Sequence, residues 1–265
     1  MRIKRREKVV IIMAKANRVY PKKVPVSKNQ EVEAEVIDIT YQGMGVIKID
    51  SFPIFVVDAI PGETLRVVVT KVLKNYAFGR VINRVTVSPD RVSDVDQVAI
   101  TTGIAPLANL KYDAQLKFKQ RQIEQLFKKV NLSVNVAPTI GMTNPTAYRN
   151  KAQVPVQMIN GQLTTGFYRR GSHKLVPVDN FYIQDSKVDE AVRVTRDILR
   201  DYNLSAYDEQ TKKGVVRHIM ARRGYYSHEL MVVIVTNTKR LPEAEEIADK
   251  LRAKLPELKS FIHNI

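Results

Sequence analysis

Between Tyr148 and Gln184 the sequence sets Arg149, Lys151, Arg169, Arg170, His173 and Lys174 among Tyr148, Phe167 and Tyr168. Cations interleaved with aromatics suit a nucleic-acid surface: guanidinium and ammonium groups attract phosphates, and exposed rings offer bases a platform for stacking. Alternate side chains of a strand share a face, so Arg149 and Lys151 point the same way. Asn160-Gly161 is a hairpin signal that folds a second run back beside the first, which places these basic groups in one patch. Arg217, His218, Arg222 and Arg223 lie on a later strand and extend it. Each assignment has a rival. Surface cations also serve solubility, strand arginines also pair with carboxylates, and His173 beside Ser172 also suits the ordering of its own turn. Tyr225 and Tyr226 sit at a turn signal, where rings stack on a base or cap the edge of a core.

These groups need a scaffold, and the chain is long enough for two domains. It has 265 residues, 44% of them hydrophobic, with only 11 Gly and 12 Pro. The net charge of +16 favours a polyanionic partner, RNA or DNA ahead of an anionic membrane surface. Residues 1–30 alone hold ten Lys/Arg and one acid, which a solvated tail explains nearly as well. The apolar stretch Val9–Ala14 is too short for a signal-peptide core, so the expected location is the cytoplasm. With no cysteine, disulfides, thiolate metal sites and cysteine nucleophiles are excluded within these residues. His173, His218, His228 and His263 form neither HxH nor HExxH spacing, so no metal is assigned.

Residues 1–25 are expected to form a basic extension. From residue 26 to 87 the text reads as short strands, Glu31–Tyr41, Gly45–Ile49, Ile54–Val57, Thr64–Leu73 and Ala77–Val87, punctuated by Gly and Pro. Five closely spaced strands predict a small OB-like or SH3-like barrel. Ser88-Pro89 marks a boundary with flexible linkage. Residues 88–265 then predict an α+β sandwich with an antiparallel or mixed sheet. A polar stretch without clear period runs to Thr102, and a helix over Tyr112–Val130 has Leu116, Ile123, Phe127 and Val130 along one face. A basic hairpin follows, then a helix over Lys187–Tyr202, a strand pair at Gly214–Arg222 and Glu229–Thr236, a helix over Pro242–Leu255 and a last strand from Ser260. Helices cover one face of the sheet and leave the other open.

Several runs together resemble the RNA (uracil-5-)-methyltransferase family, in particular its Gram-positive 23S ribosomal RNA type, from about Val26 to the last residue. Tyr41-Gln42-Gly43-Met44-Gly45-Val46 and Ala59-Ile60-Pro61-Gly62-Glu63 resemble a TRAM domain. Tyr148-Arg149-Asn150-Lys151, Gly166-Phe167-Tyr168-Arg169, Ser172-His173, Val216-Arg217-His218-Ile219 and Glu229-Leu230-Met231-Val232 follow in family order. The resemblance implies methyl transfer from S-adenosylmethionine to uracil C5 through a cysteine thiolate that adds to C6. That cysteine and the cofactor pocket belong to a Rossmann-like domain. The expectation here is a chain truncated before the methyltransferase domain, holding no cofactor itself and acting as the RNA-recognition portion of a parent enzyme, a monomer bound to 23S ribosomal RNA. Alternatives are a portion of a transfer-RNA enzyme, a free-standing RNA-binding protein from a truncated gene, and a ribosome-associated structural protein. Many relatives hold an iron–sulfur cluster on four cysteines. Their positions align with Asp96, Thr102, Ala105 and Phe181, none of which replaces a thiolate, so no cluster is expected and Phe181 is expected to fill its space.

Overall fold

The computed structural model describes residues 24–265, so most of the predicted basic extension lies outside the described residues. Two six-stranded sheets form the protein. The first is built from β1 (Glu31–Glu35), β2 (Asp38–Ile39), β3 (Met44–Ile49), β4 (Phe52–Val57), β5 (Thr64–Val72) and β6 (Ala77–Arg84). The predicted strand Glu31–Tyr41 divides at Val36-Ile37, which turns five expected strands into six. The order is β1-β5-β6-β4-β3-β2, so the two edge strands are consecutive in sequence and the sheet must curl. Alternation drives the curl inward: Leu65, Val67 and Val69 of β5 are fully buried, with Ile47, Ile54 and Val56 opposite. Irregular register between β5 and β6 at Arg66/Val67 and Val69/Lys71 tightens the twist. The result is a curled half-barrel.

Two helices separate the sheets. α1 (Gln97–Thr102) occupies a stretch the sequence left without structure. Its signals are at its ends: the Asp96 carboxylate accepts from the Val98 and Ala99 amides, and Gly103 closes the helix at φ 76°. α2 (Tyr112–Lys129) is where the periodicity put it, but its apolar stripe is not a core face. Ile123 and Val130 are exposed, and the helix is anchored instead by Phe118 against Ile39 and Ile60 of the first module.

The second sheet comprises β7 (Lys151–Ile159), β8 (Gln162–Tyr168), β9 (Leu175–Pro177), β10 (Val216–Arg223), β11 (Leu230–Thr236) and β12 (Leu258–Asn264). Its order is β12-β11-β10-β7-β8-β9, mixed because β11 and β12 run parallel. α3 (Ser186–Asp201) and α4 (Ala244–Lys254) cover one face, where Val188, Val192, Ile198 and Leu199 meet Val154, Ile219, Val232 and Ile234. The opposite face carries Lys151, Gln153, His218, Met220, Arg222, Met231 and Ile262, of which Lys151, Gln153 and Arg222 are exposed.

Candidate nucleic-acid interface

Register decides which cations meet. Lys151 of β7 lies directly opposite Arg222 of β10, so both project from the open face of the sheet. Both are exposed, and neither takes part in an ion pair among the described residues. Arg149, two residues before Lys151, is also exposed, and its amide donates to the Ile183 carbonyl at 2.8 Å. Beyond Arg222 the β10–β11 turn presents Tyr225 and Tyr226, 74% and 91% exposed, with ring centroids 4.9 Å apart and edge to face. This end of the sheet thus combines three cations with two bare rings.

Arg169 and Arg170 do not join them. The β7–β8 ladder runs only from Ile159/Gln162 to Val156/Thr165, after which Phe181–Gln184 takes the place beside Arg149 and β8 swings away. The one-patch expectation is corrected on this ground. Arg170 crosses instead to the first module, where its guanidinium donates to the Gln42 carbonyl at 2.8 Å and packs against Gly103. Burial lowers its pKa. Gly43, in the TRAM-like run, sits at φ 73° so tightly against the Pro106 carbonyl that a Cβ would overlap it. Its smallness serves contact between modules. Arg169 stays exposed on the rim of a cleft of about 630 Å³ lined by Arg80, Arg84, Asn83, Thr101 and Arg170.

The expected flexible linkage at Ser88-Pro89 is also corrected. Ser88 is buried, and the next arginine is caged by the first module. The Arg91 guanidinium donates to Asp58 Oδ1 at 2.9 Å and to Glu63 Oε2 at 2.9 Å, while Asn109 Nδ2 donates to Asp58 Oδ1 at 3.1 Å. Arg84 pairs with Asp58 as well. Burial alone would depress the Arg91 pKa; hydrogen bonds and charge from Glu63 and Asp58 outweigh it and raise it. Glu63 is fully buried, so these groups act as a lock between the modules.

Arg223, proposed from sequence to touch RNA, is committed elsewhere. Its guanidinium donates to both Glu257 oxygens, at 2.6 and 3.1 Å, with Asp185 at 3.4 Å on its other side. Those partners raise its pKa and make it a tie between β10 and the chain before β12. Arg217 lies over the Tyr207 ring at 4.7 Å and within 3.8 Å of Glu209. His218 is half-buried, and burial followed by the Arg217 charge lowers its pKa. It lies opposite Pro155, four residues along the ladder from the Lys151/Arg222 pair, or about 13 Å away. His173 is exposed beside Tyr168, with ring centroids 6.2 Å apart, and its carbonyl accepts from Gln157.

Of the four positions aligned with cluster ligands, Asp96 caps α1, the Thr102 hydroxyl donates to the Val98 carbonyl at 2.6 Å, and Ala105 packs near Ala99 and Ile100. Phe181 is buried in the second core, edge-on to Phe167 at 4.8 Å. Among the described residues no group of three or more His, Asp or Glu is arranged to hold a metal, and no helix is long and apolar enough to cross a membrane. Sequence reasoning missed Arg80, which only the curl of β6 brings to the Arg169 cleft. It also missed Tyr182, which only the Arg149–Gln184 bridge and the Ala147 amide's bond to the Tyr182 carbonyl set beside Tyr148.

A curled half-barrel locked to an α+β layer with a cationic end defines a two-module chain whose first module is a TRAM domain; residues 25–82 match that family's model. Among curated relatives, the chain is 54% identical over 243 residues to a protein of Lactiplantibacillus plantarum named an uncharacterized RNA methyltransferase, covering 91% of this chain and 53% of the relative. A protein of Enterococcus faecalis with the same name is 43% identical over 246 residues, covering 92% and 54%. The chain thus spans about half the length of the relatives it matches. Among solved structures it superposes on Pyrococcus abyssi tRNA (uracil-54, C5)-methyltransferase, solved with S-adenosyl-L-homocysteine. The TM-score is 0.59 at 21% identity, over 81% of this chain and 48% of that one. That likeness shows a shared fold. It covers about half of that methyltransferase, so the cofactor and the catalytic domain are not assigned from it.

Proposed function

We propose that these residues grip RNA for an S-adenosylmethionine-dependent uracil-5-methyltransferase whose substrate is 23S ribosomal RNA. One observation carries the RNA reading: Lys151 and Arg222 face each other across β7 and β10 with no carboxylate between them. Like charges directly opposite on a sheet are destabilising, and a bound phosphate offsets that cost. Arg149 extends the line, Tyr225 and Tyr226 offer stacking surfaces, and Arg80 and Arg169 supply a second cationic position at the cleft beside the TRAM domain. The names of the curated relatives support methyl transfer to RNA. The motif order over residues 148–232 supports uracil C5.

S-adenosylmethionine supplies an electrophilic methyl on a sulfonium. The cleft holds Arg80, Arg169 and Arg170 beside the paired Arg84 and Asp58, a net positive lining that suits phosphate better than a sulfonium, so no residue of it is assigned to the donor. The chain's own contribution is to bind and orient the transcript, with the lock around Arg91 fixing the distance between its two cationic positions.

Fluorescence anisotropy with fragments of 23S ribosomal RNA, a transfer-RNA transcript and duplex DNA of equal length tests this reading. The expected result is preference for a ribosomal fragment, and a weakening of about tenfold or more in the K151E/R222E double variant with a salt slope reduced by about two. Preference for transfer RNA would move the substrate to that class. Equal binding of all three, or an unchanged slope in the variant, would overturn the proposal.

A further inference from the structure

Residues 131–150 cross the surface without regular structure, a length of loop that in a compact protein commonly belongs to a binding site. This loop is not loose. The Thr139 hydroxyl donates to the Leu116 carbonyl at 3.0 Å, Gln120 Nε2 donates to the Val136 carbonyl at 3.1 Å, and the Met142 amide donates to the Tyr112 hydroxyl at 2.7 Å. Gly141 lies so close to Leu116 that a Cβ there would meet its methyl at 2.8 Å. The loop is thereby pinned along α2, and the end of the loop, the start of α2 and residues 104–110 together line a groove of about 460 Å³.

Three tyrosines line that groove. Tyr112 comes from α2, Tyr148 from the end of the loop and Tyr182 from the segment bridged to Arg149, with Met142, Pro145 and Leu107 also in the lining. Tyr148 and Tyr182 stay 51% and 43% exposed, although rings of this size favour burial, and their backbones are held in parallel where the Ala147 amide donates to the Tyr182 carbonyl. Lys119 stands at the rim, exposed, with Lys111 and Lys117 exposed on the same helix and its approach. Gln115 is spoken for, since its amide donates to the Leu107 and Leu110 carbonyls and braces the wall.

We infer that this groove is a nucleobase subsite: one unstacked base of the bound RNA lies against Tyr148 and Tyr182, and its phosphate turns toward Lys119. A flat aromatic ring with an attached anion matches bare rings beside a cation, and stacking on tyrosine tolerates any base. Charge complementarity favours RNA over an apolar peptide as occupant. The inference rests on the RNA reading above, yet it uses residues on the other side of β7 from Lys151, because Tyr148 and Arg149 are adjacent on an extended chain and point to opposite faces.

The test uses the 265-residue chain and two versions of an RNA hairpin, one with a full loop and one with a single abasic sugar scanned through the loop. The wild type is expected to lose about ten- to a hundredfold in affinity at one loop position. The Y148A/Y182A variant should bind the full hairpin as weakly as the wild type binds that abasic one, with no further loss on abasic substitution, and Y148F/Y182F should retain discrimination. A 2-aminopurine at the same position should be quenched on binding by the wild type and not by the alanine variant. If wild-type binding is intact but no abasic position matters, or if the alanine variant discriminates as the wild type does, the subsite is wrong and the RNA reading stands. If the wild type binds no RNA, both fall.

Discussion

The arginines around Asp58 and those around Lys151 are the same side chains put to opposite uses. Arg84 and Arg91 are surrounded by Asp58 and Glu63, and each charge finds its counter-charge inside the protein. Lys151 and Arg222 face each other, cation to cation, on the open sheet face, and Arg149 stands exposed two residues before Lys151. The first arrangement is complete in the isolated chain. The second becomes complete only with an anion from outside. A cation's use is therefore read from what lies opposite it, and Arg223 makes the point within one strand: next to Arg222 in sequence, it faces the other way and is consumed by Glu257 and Asp185.

The comparison breaks most sharply at Glu63. Glu63→Gln strips a fully buried carboxylate from Arg91, and removal of one member of a buried pair costs about 3–5 kcal/mol. Urea unfolding should show that loss, and a loss below about 1 kcal/mol would mean the modules do not depend on the lock.

Asp189 gives a smaller effect with a definite sign. Its carboxylate is buried, Oδ2 accepts from the Phe181 amide at 2.9 Å, and Oδ1 has no hydrogen-bond partner among the described residues. Burial raises its pKa from 3.8 to about 6, against the pull of the Phe181 amide. The folded state therefore holds this proton more tightly than the unfolded state. Its contribution is present below about pH 4 and is lost as pH rises through about 6, by roughly 1–3 kcal/mol in all. Unfolding midpoints across that window should differ between wild type and Asp189→Asn by this trend, and parallel curves would count against it.

Lys151→Glu separates stability from binding. It turns a like-charged cross-strand pair into an opposite one and should stabilise the chain by about 0.2–1 kcal/mol while weakening RNA binding. A loss of both would show that Lys151 already has an internal role. Smallest of all, Arg217→Ala removes an exposed contact with Glu209 and a cation over Tyr207, and should cost no more than about 1 kcal/mol in stability, with RNA affinity changed less than twofold. A tenfold loss of affinity would extend the cationic surface to the far end of β10.

Much of the architecture was legible because its signals are local. Alternation marked β5, a 3.6-residue period marked α3, and Asn160-Gly161 marked the β7–β8 turn, where both residues have positive φ. α1 was missed because it is six residues long, too short for a period, and only Asp96 and Gly103 announce it. What covers the stripe of α2 was not legible, because periodicity reports amphipathicity without saying what packs on the apolar side. Glu63 sits beside Gly62 in a motif that was noted, yet nothing in the run reveals a buried carboxylate whose partner is 28 residues away.

By itself the sequence determined the polyanion-seeking charge, the strands and helices, and which residue types stand ready to meet phosphate and base. Tertiary structure alone decided that Arg149, Lys151 and Arg222 share one open end, that Arg169 and Arg170 leave it for the barrel, and that Arg223 and Arg91 are internal ties. The physical reason is range. Propensity and periodicity act over a few residues, whereas strand register and counter-charge placement are set by the packing of segments far apart in the chain, and only they determine whether a cation still seeks a partner.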